Sequence, residues 1–290
     1  MTRRGALLFA AMCVIWGVPY LMIRVAVREL EPAVLVFGRT ALGALLLTPL
    51  AAWRGELRPL VRRWAPLCAY TAVEVALPWL LLARAETKLS SSLTGLLIAA
   101  VPLVGAVVVT LTGERERQGG RRWLGLLIGI AGVGALVGLD VGQVDVLAVV
   151  EVGLVAVGYA VGPIILTRSL SDLPALGVVA ASLLLSAIAY APVAAFQWPA
   201  ATPSGRVLLS VVGLAVVCTA LAFLVFFALI AEVGPVRATV ITYVNPAVAA
   251  VLGVLVLDEH VSAGMAVGFA LILAGSVLAT GAGPEPVAEP

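Results

Sequence analysis

The 290-residue chain is poor in nearly every side chain that covalent or metal chemistry uses. It has one histidine, His260, and three cysteines, Cys13, Cys68 and Cys218, none near another in sequence. That scarcity argues against a disulfide framework, a cysteine-based metal site and a nucleophile–base pair. No Gly-rich loop ending in Gly-Lys-Ser/Thr is present to cradle a nucleotide, so ATP-driven work has no seat. Charged residues make up 12% and the net charge is +2, with no basic surface to hold nucleic acid. No enzyme, cofactor or metal is expected, and no nucleic-acid partner.

What the chain has instead is hydrocarbon. Hydrophobic residues are 62% of it and mean hydropathy is +1.13, far above a soluble domain. Apolar runs long enough to cross about 30 Å of bilayer recur throughout. They predict spans at 5–27, 32–53, 64–83, 90–112, 123–139, 143–167, 173–195, 205–230, 235–257 and 261–281. The fold class expected is an all-α integral membrane protein of ten transmembrane helices, with the lipid bilayer as partner. The Pro/Ala/Glu-rich tail, 282–290, is expected to be disordered. The N-terminal run begins like a signal peptide at Arg3 and Arg4, yet it continues apolar to Val27, so it reads as a retained first helix.

The second half repeats the first. Trp16 and Tyr159, Pro49 and Pro192, Gly125 and Gly268, and Gly132 and Gly275 each stand 143 residues apart. Pro102 and Pro246 stand 144 apart. This divides the chain into a first five-helix repeat, 5–139, and a second, 143–281. Five crossings are an odd number, so the second copy is expected to sit upside down relative to the first.

Arginine placement supports that. With the N-terminus in the cytoplasm, the inner connections hold Arg3, Arg4, Arg54, Arg58, Arg62, Arg63, Arg115, Arg117, Arg121, Arg122, Arg168 and Arg237. The outer ones hold Arg24, Arg28, Arg84, Lys88 and Arg206. By the positive-inside rule both termini are cytoplasmic, loop 114–122 is inside and loop 258–260 is outside. Equivalent loops of the two copies carry opposite charge bias, as inverted repeats require. Inverted repeats are an architecture of carriers that alternate access to a central site.

The stretch Ile15-Trp16-Gly17-Val18-Pro19-Tyr20, followed by Arg24, Glu31-Pro32 and Arg39, resembles the opening of the EamA-type branch of the drug/metabolite transporter superfamily. Ala99 to Glu114 and Val244 to Glu259 resemble that family's repeat ending. The resemblance implies a ten-helix secondary carrier in the cell (inner) membrane, with a cavity between the repeats. It does not imply a cargo, since members handle amino acids, other metabolites, sugar phosphates and drugs. The reading adopted is an exporter of small metabolites, amino acids or drugs, with proton coupling as an added possibility. Uptake of a small organic solute and a non-transporting structural protein stay open as alternatives, as do monomer and homodimer.

Charges at membrane depth cost about 2.5–3.5 kcal/mol each on insertion scales, so they are candidate sites. Glu74 lies about ten residues into its span, roughly 15 Å deep, with Tyr70 and Thr71 on the same face. It serves either as a substrate or proton site or as the structural partner of Arg39. A fixed 143-residue offset puts Val217 opposite Glu74 in the second copy, and Ser182 opposite Arg39. Glu151 and Tyr159 share a face of the sixth span. Trp16 and Tyr20 stand one turn apart on the first helix. Thr242, Tyr243 and Asn245 line one side of the ninth. Pro19, Pro102 and Pro246 are expected as helix hinges, because proline removes a backbone hydrogen bond. Gly125-x-x-x-Gly129, Gly134-x-x-x-Gly138 and Gly264-x-x-x-Gly268 are expected to bring helices close.

Overall fold

The computed structural model describes residues 2–111, 120–138 and 145–280, and only the backbone of Val236. The loop expected inside at 114–122, up to residue 119, with the Glu114 ending of the first copy, and the tail 282–290 lie outside the described residues. Every regular element among the described residues is helical. Among the described residues, nine helical stretches are long and apolar enough to cross a bilayer. In chain order they are α1 (Arg3–Ala26), α2 (Pro32–Trp53), α3 (Arg58–Ala85), α4 (Ser91–Leu111), α5 (Gly120–Gly138), α6 (Val146–Ser169), α7 (Ala175–Phe196) and α8 (Gly205–Val233), with α10 (Ala263–Thr280) last. Between α8 and α10 lies α9 (Ile241–Leu257), 17 residues long and preceded by a single turn, Pro235–Ala238.

The burial pattern is that of a protein solvated by lipid. Leu45, Leu111, Leu209 and Leu255 point outward, while Thr40, Ser91, Ser92, Thr94, Ser186 and Thr219 are fully enclosed. With no water in hydrocarbon to bond them, most of these polar groups turn to backbone carbonyls or to other polar side chains, though Ser186 Oγ has no partner.

The principal helix contacts pair one copy with the other. The α5–α10 and α2–α7 pairs dominate, and α4 packs on α9. Around them α3 and α4 pack on α6, and α8 and α9 pack on α1. Each self-equivalent pair runs antiparallel. Gly125 abuts Gly275 and Ala279, whereas Gly132 abuts Gly268 and Ile272. Gly43 meets Leu183 while Gly177 meets Glu56, and Gly95 meets Ala249 while Gly253 meets Ser92. In the α5–α10 seam a Cβ added at Gly125 would lie 2.5 Å from Ala279 N, so only hydrogen fits there. Gly134 and Gly138, by contrast, have nothing within 4 Å, which corrects their expected role in packing: they sit on a face that no helix covers.

Helix interruptions explain several local contacts. The helix of α1 stops at Ile15 and resumes at Val18. There Gly17 N–H bonds to Val14 O rather than to Cys13 O, which frees the Cys13 carbonyl. The Asn245 amide nitrogen of α9 takes it at 3.1 Å, and bonds Ile241 O at 3.0 Å. α4 is interrupted at Ala99–Ala100, just before Pro102. Pro246 differs from expectation. It lies inside continuous helix, and the break in that stretch comes earlier, at Thr239–Val240; the Asn245 bond to Ile241 O braces the turn that enters the proline.

At the far end of α9, Asp258 takes φ 56°, ψ 32°, a left-handed cap that Asp tolerates. Asp258 N–H returns to Gly253 O five residues back, the closure typical of helix ends, and Glu259 N–H bonds the same carbonyl at 3.1 Å. This turn throws the Glu259 carboxylate onto the start of α4. It accepts from Ser91 N (2.8 Å), Ser92 N (2.9 Å), Ser92 Oγ (2.6 Å) and Ser91 Oγ (3.0 Å). Ser90 Oγ takes Leu93 N–H at 3.1 Å, so the orphan donors of the helix start are satisfied from two directions. Burial pushes the Glu259 carboxyl up, but the Ser92 and Ser91 bonds more than offset it and hold it below the ordinary carboxylate value. A group depressed in the folded state stabilises above its unfolded pKa, and that stability is lost as pH falls through the folded one. Glu259→Gln should therefore lower the melting temperature at neutral pH, by the equivalent of about 1–3 kcal/mol for weakly satisfied buried donors. The difference from wild type should shrink below the ordinary carboxylate range, which thermal melts in detergent between pH 7 and pH 3.5 would measure.

Candidate functional site

The centre of the bundle is built around two matching irregularities. Thr71–Ala76 in α3 and Val216–Leu221 in α8 are π-helical turns. Leu77 N–H bonds Ala72 O five residues back, and Ala222 N–H bonds Val217 O likewise. Such turns are rare, and they collect at functional positions because they rotate side chains out of the α-register and loosen carbonyls. Tyr190 of α7 donates to Ala76 O at 3.0 Å. The two π turns start 145 residues apart, at Thr71 and Val216. In that register Thr219, rather than Val217, stands opposite Glu74.

Glu74 sits in the middle of the first π turn, and its Oε2 is buried with no hydrogen-bond partner. It presses on α6 at Gly162, where an added Cβ would lie 2.9 Å from Glu74 Cβ and collide with Oε2. One turn earlier, Gly158 takes the Val73 carbonyl and the Pro78 ring. Thus α6 offers a glycine groove to the π turn of the other copy.

Arg39 does not pair with Glu74. Its Nε donates to Thr219 Oγ1 at 2.9 Å, and its guanidinium lies 3.6 Å over the Trp79 ring. The two charges stand apart because Trp79 offers the cation a desolvated aromatic face, worth about 2 kcal/mol or more when buried. Tyr159 feels both Glu74 and Arg39 and is hydrogen-bonded to Trp79. Tyr20 and Cys218 are further neighbours of Arg39. Across from this set Thr71 Oγ1 bonds Ser182 Oγ at 3.0 Å. Ser182 and Arg39 are equivalents, and each reaches a threonine of the other copy's π turn.

The remaining candidates fall elsewhere. Tyr70 feels Glu74, but its ring is buried in a neighbouring apolar cluster with Leu60, Leu67, Leu170 and Val178. Trp16 packs between Phe223 (6.1 Å, edge-on) and Phe226 (4.8 Å) of α8. Thr242 bonds its own turn at Thr239 O, and Tyr243 reaches Thr280 at 3.1 Å, both at the start of α9 and away from Glu74. Glu151 is the sixth residue of α6 and binds Arg84 Nε at 2.8 Å. That pair lines an open groove of about 460 Å³ with Glu31, Lys88 and Asp145 at one end of the bundle. Trp79, Thr219 and Gly162 joined the centre without a sequence signal strong enough to select them, although Ser182 was marked by its register with Arg39.

The EamA-like transporter family matches residues 3–138 and again residues 147–281. The chain belongs to the EamA-like transporter family. It is a multi-pass membrane protein of that family, and both its copies carry the match. An uncharacterized inner membrane transporter, YedA, of Escherichia coli strain K12 is 28% identical over 257 residues, covering 84% of this chain and 79% of its own length. The same protein in Escherichia coli O157:H7 matches equally. A crystal structure 21% identical in sequence superimposes with a TM-score of 0.67 over 97% of each chain, a likeness of fold alone.

Proposed function

We propose that this EamA-family chain is an alternating-access exporter of small organic solutes, built from two inverted repeats, with Glu74 as its proton-coupling or substrate-binding group. The observation that carries the reading is the unpartnered Glu74 Oε2 of one copy, held in a π turn against Gly162 of the other. A buried carboxyl oxygen with no partner is expensive in a membrane, and such acids mark ion and proton pathways. The antiparallel contact of equivalent helices supports inversion, since a copy related by an in-plane axis meets itself head to tail. The central group consists of Glu74, Arg39, Tyr159, Tyr20, Trp79 and Thr219, contributed by both copies. It can bind a solute only when the copies rock apart, and it offers that solute an acid, a cation and aromatic walls at once.

The printed description of the bacterial relative as an inner membrane transporter supports placement in the cell membrane, and the arginine distribution supports cytoplasmic termini. Cysteines introduced at Gln118 and at His260, in equivalent connections of the two copies, should label from opposite sides in intact cells. Labelling from one side would end the inverted reading. The decisive test is flux into proteoliposomes across amino acids, cationic dyes and sugar phosphates, with and without a pH gradient. One class should move, faster when the gradient is imposed. Flux of that class indifferent to the gradient would remove proton coupling, and no flux in any class would remove the exporter reading.

A further inference from the structure

A second acid lies outside the centre, at the end of the bundle where α3 hands over to α4. Glu86 is the first residue after α3, and it is wholly enclosed. Neither carboxyl oxygen has a hydrogen-bond partner. The groups facing it come from each element packed there. From α1 come Tyr20 and Arg24, and from the α9–α10 connection Glu259, which the Ser91 and Ser92 hydroxyls at the start of α4 hold in place. None serves the Glu86 carboxyl. Arg24 spends an N–H on the Glu86 main-chain carbonyl. The serines spend theirs on Glu259, whose negative charge is thereby fixed beside Glu86.

An ionised Glu86 in this setting would be a desolvated anion beside another anion, with Arg24 engaged on the main-chain carbonyl. Buried charges persist only when paired and hydrogen-bonded. We infer that Glu86 is a second proton-binding site, distinct from Glu74, that latches this end of the bundle shut. In the closed arrangement it holds a proton taken from solution as a neutral acid. When α1 and the α3–α4 corner separate, water enters, the proton returns to solution and Arg24 is released from the carbonyl to meet the carboxylate. Burial raises the closed-state carboxyl well above its ordinary value, with Arg24 opposing and Glu259 adding to the rise. The sign follows: closure is favoured at low pH and weakens as pH climbs from the ordinary carboxylate value through the raised one. The inference takes only its purpose from the carrier reading, so its test uses no substrate.

The full chain in lipid nanodiscs, with Cys13, Cys68 and Cys218 replaced by alanine, would carry spin labels at Arg28 and Lys88, both exposed at the ends that would part. The distance distribution between pH 5 and pH 9 should pass from short to longer. Its midpoint should lie above the ordinary carboxylate range. Glu86→Gln should stay short throughout. A wild-type distribution that ignores pH, or the same transition in Glu86→Gln, would overturn the latch. Glu86→Met, neutral and of similar length, covers the case in which the amide fails to fold. Because the neutral form is the one the closed state holds, failure of both neutral variants to fold would also count against it.

Discussion

Glu74→Gln is expected to give a folded, membrane-inserted protein whose transport is reduced roughly 5–150-fold, the range of a coupling free energy of about 1–3 kcal/mol. The fold should survive because glutamine has the same shape and Oε2 has no hydrogen bond to lose. Arg39 should not notice the change, since its contacts are Thr219 and Trp79. What the variant loses is the capacity to take up and release a proton or to hold a cationic group on the cargo. Initial flux rates at several pH values separate these: loss of rate with loss of pH response marks coupling, and loss of rate with pH response retained marks binding. Wild-type flux with a wild-type pH profile would remove Glu74 from the mechanism.

Gly268→Leu should nearly abolish the yield of folded, monodisperse protein in detergent. A Cβ at Gly268 would lie 2.7 Å from Gly132 O and 2.7 Å from Leu136 N. At Gly275 it would lie 2.5 Å from Gly129 N. These are backbone atoms in the middle of a helix, and they cannot turn aside. The cost should exceed the about 1–3 kcal/mol of ordinary overpacking. Gly129→Leu should be milder at its first obstacle, the Leu103 side chain, which can change rotamer. Gly134→Leu is the control, because nothing lies within reach of its Cβ. A Gly268→Leu protein that melts like wild type would mean that α5 and α10 are not held at this seam.

The helices were legible because a bilayer demands long apolar runs, and the duplication was legible because prolines and glycines keep their spacing. The glycine seam between α5 and α10 could be read in part, with Gly125 and Gly268 real contacts and Gly134 not, since helical spacing does not say which face meets a neighbour. The centre was harder. A π turn carries no side-chain signature, and aligning the two π turns, 145 rather than 143 residues apart, puts Thr219 instead of Val217 opposite Glu74. Arg39 and Glu74 looked like a pair in sequence because they have opposite charges at similar depth. Trp79, one polar-faced aromatic among six tryptophans, intervened. Asn245 read as a cavity wall, yet its amide bonds a carbonyl that a break on another helix sets free. Glu86 was passed over because acids at helix ends are usually wet, and only the packing of α1, α4 and the α9–α10 turn around it makes it dry.

The exchange of contacts between the copies has a consequence for synthesis. Neither copy has an interior of its own: α3 is completed by α6, and α2 by α7. While the ribosome is still making the second copy, the first waits in lipid with Arg39, Ser91 and Ser92 facing no permanent partner. Each must be shielded by water defects or by neighbouring membrane proteins until its counterpart is in place beside it. The chain therefore crosses its point of commitment only near its end, when α9 delivers Asn245 to the gap in α1 and Glu259 to the head of α4.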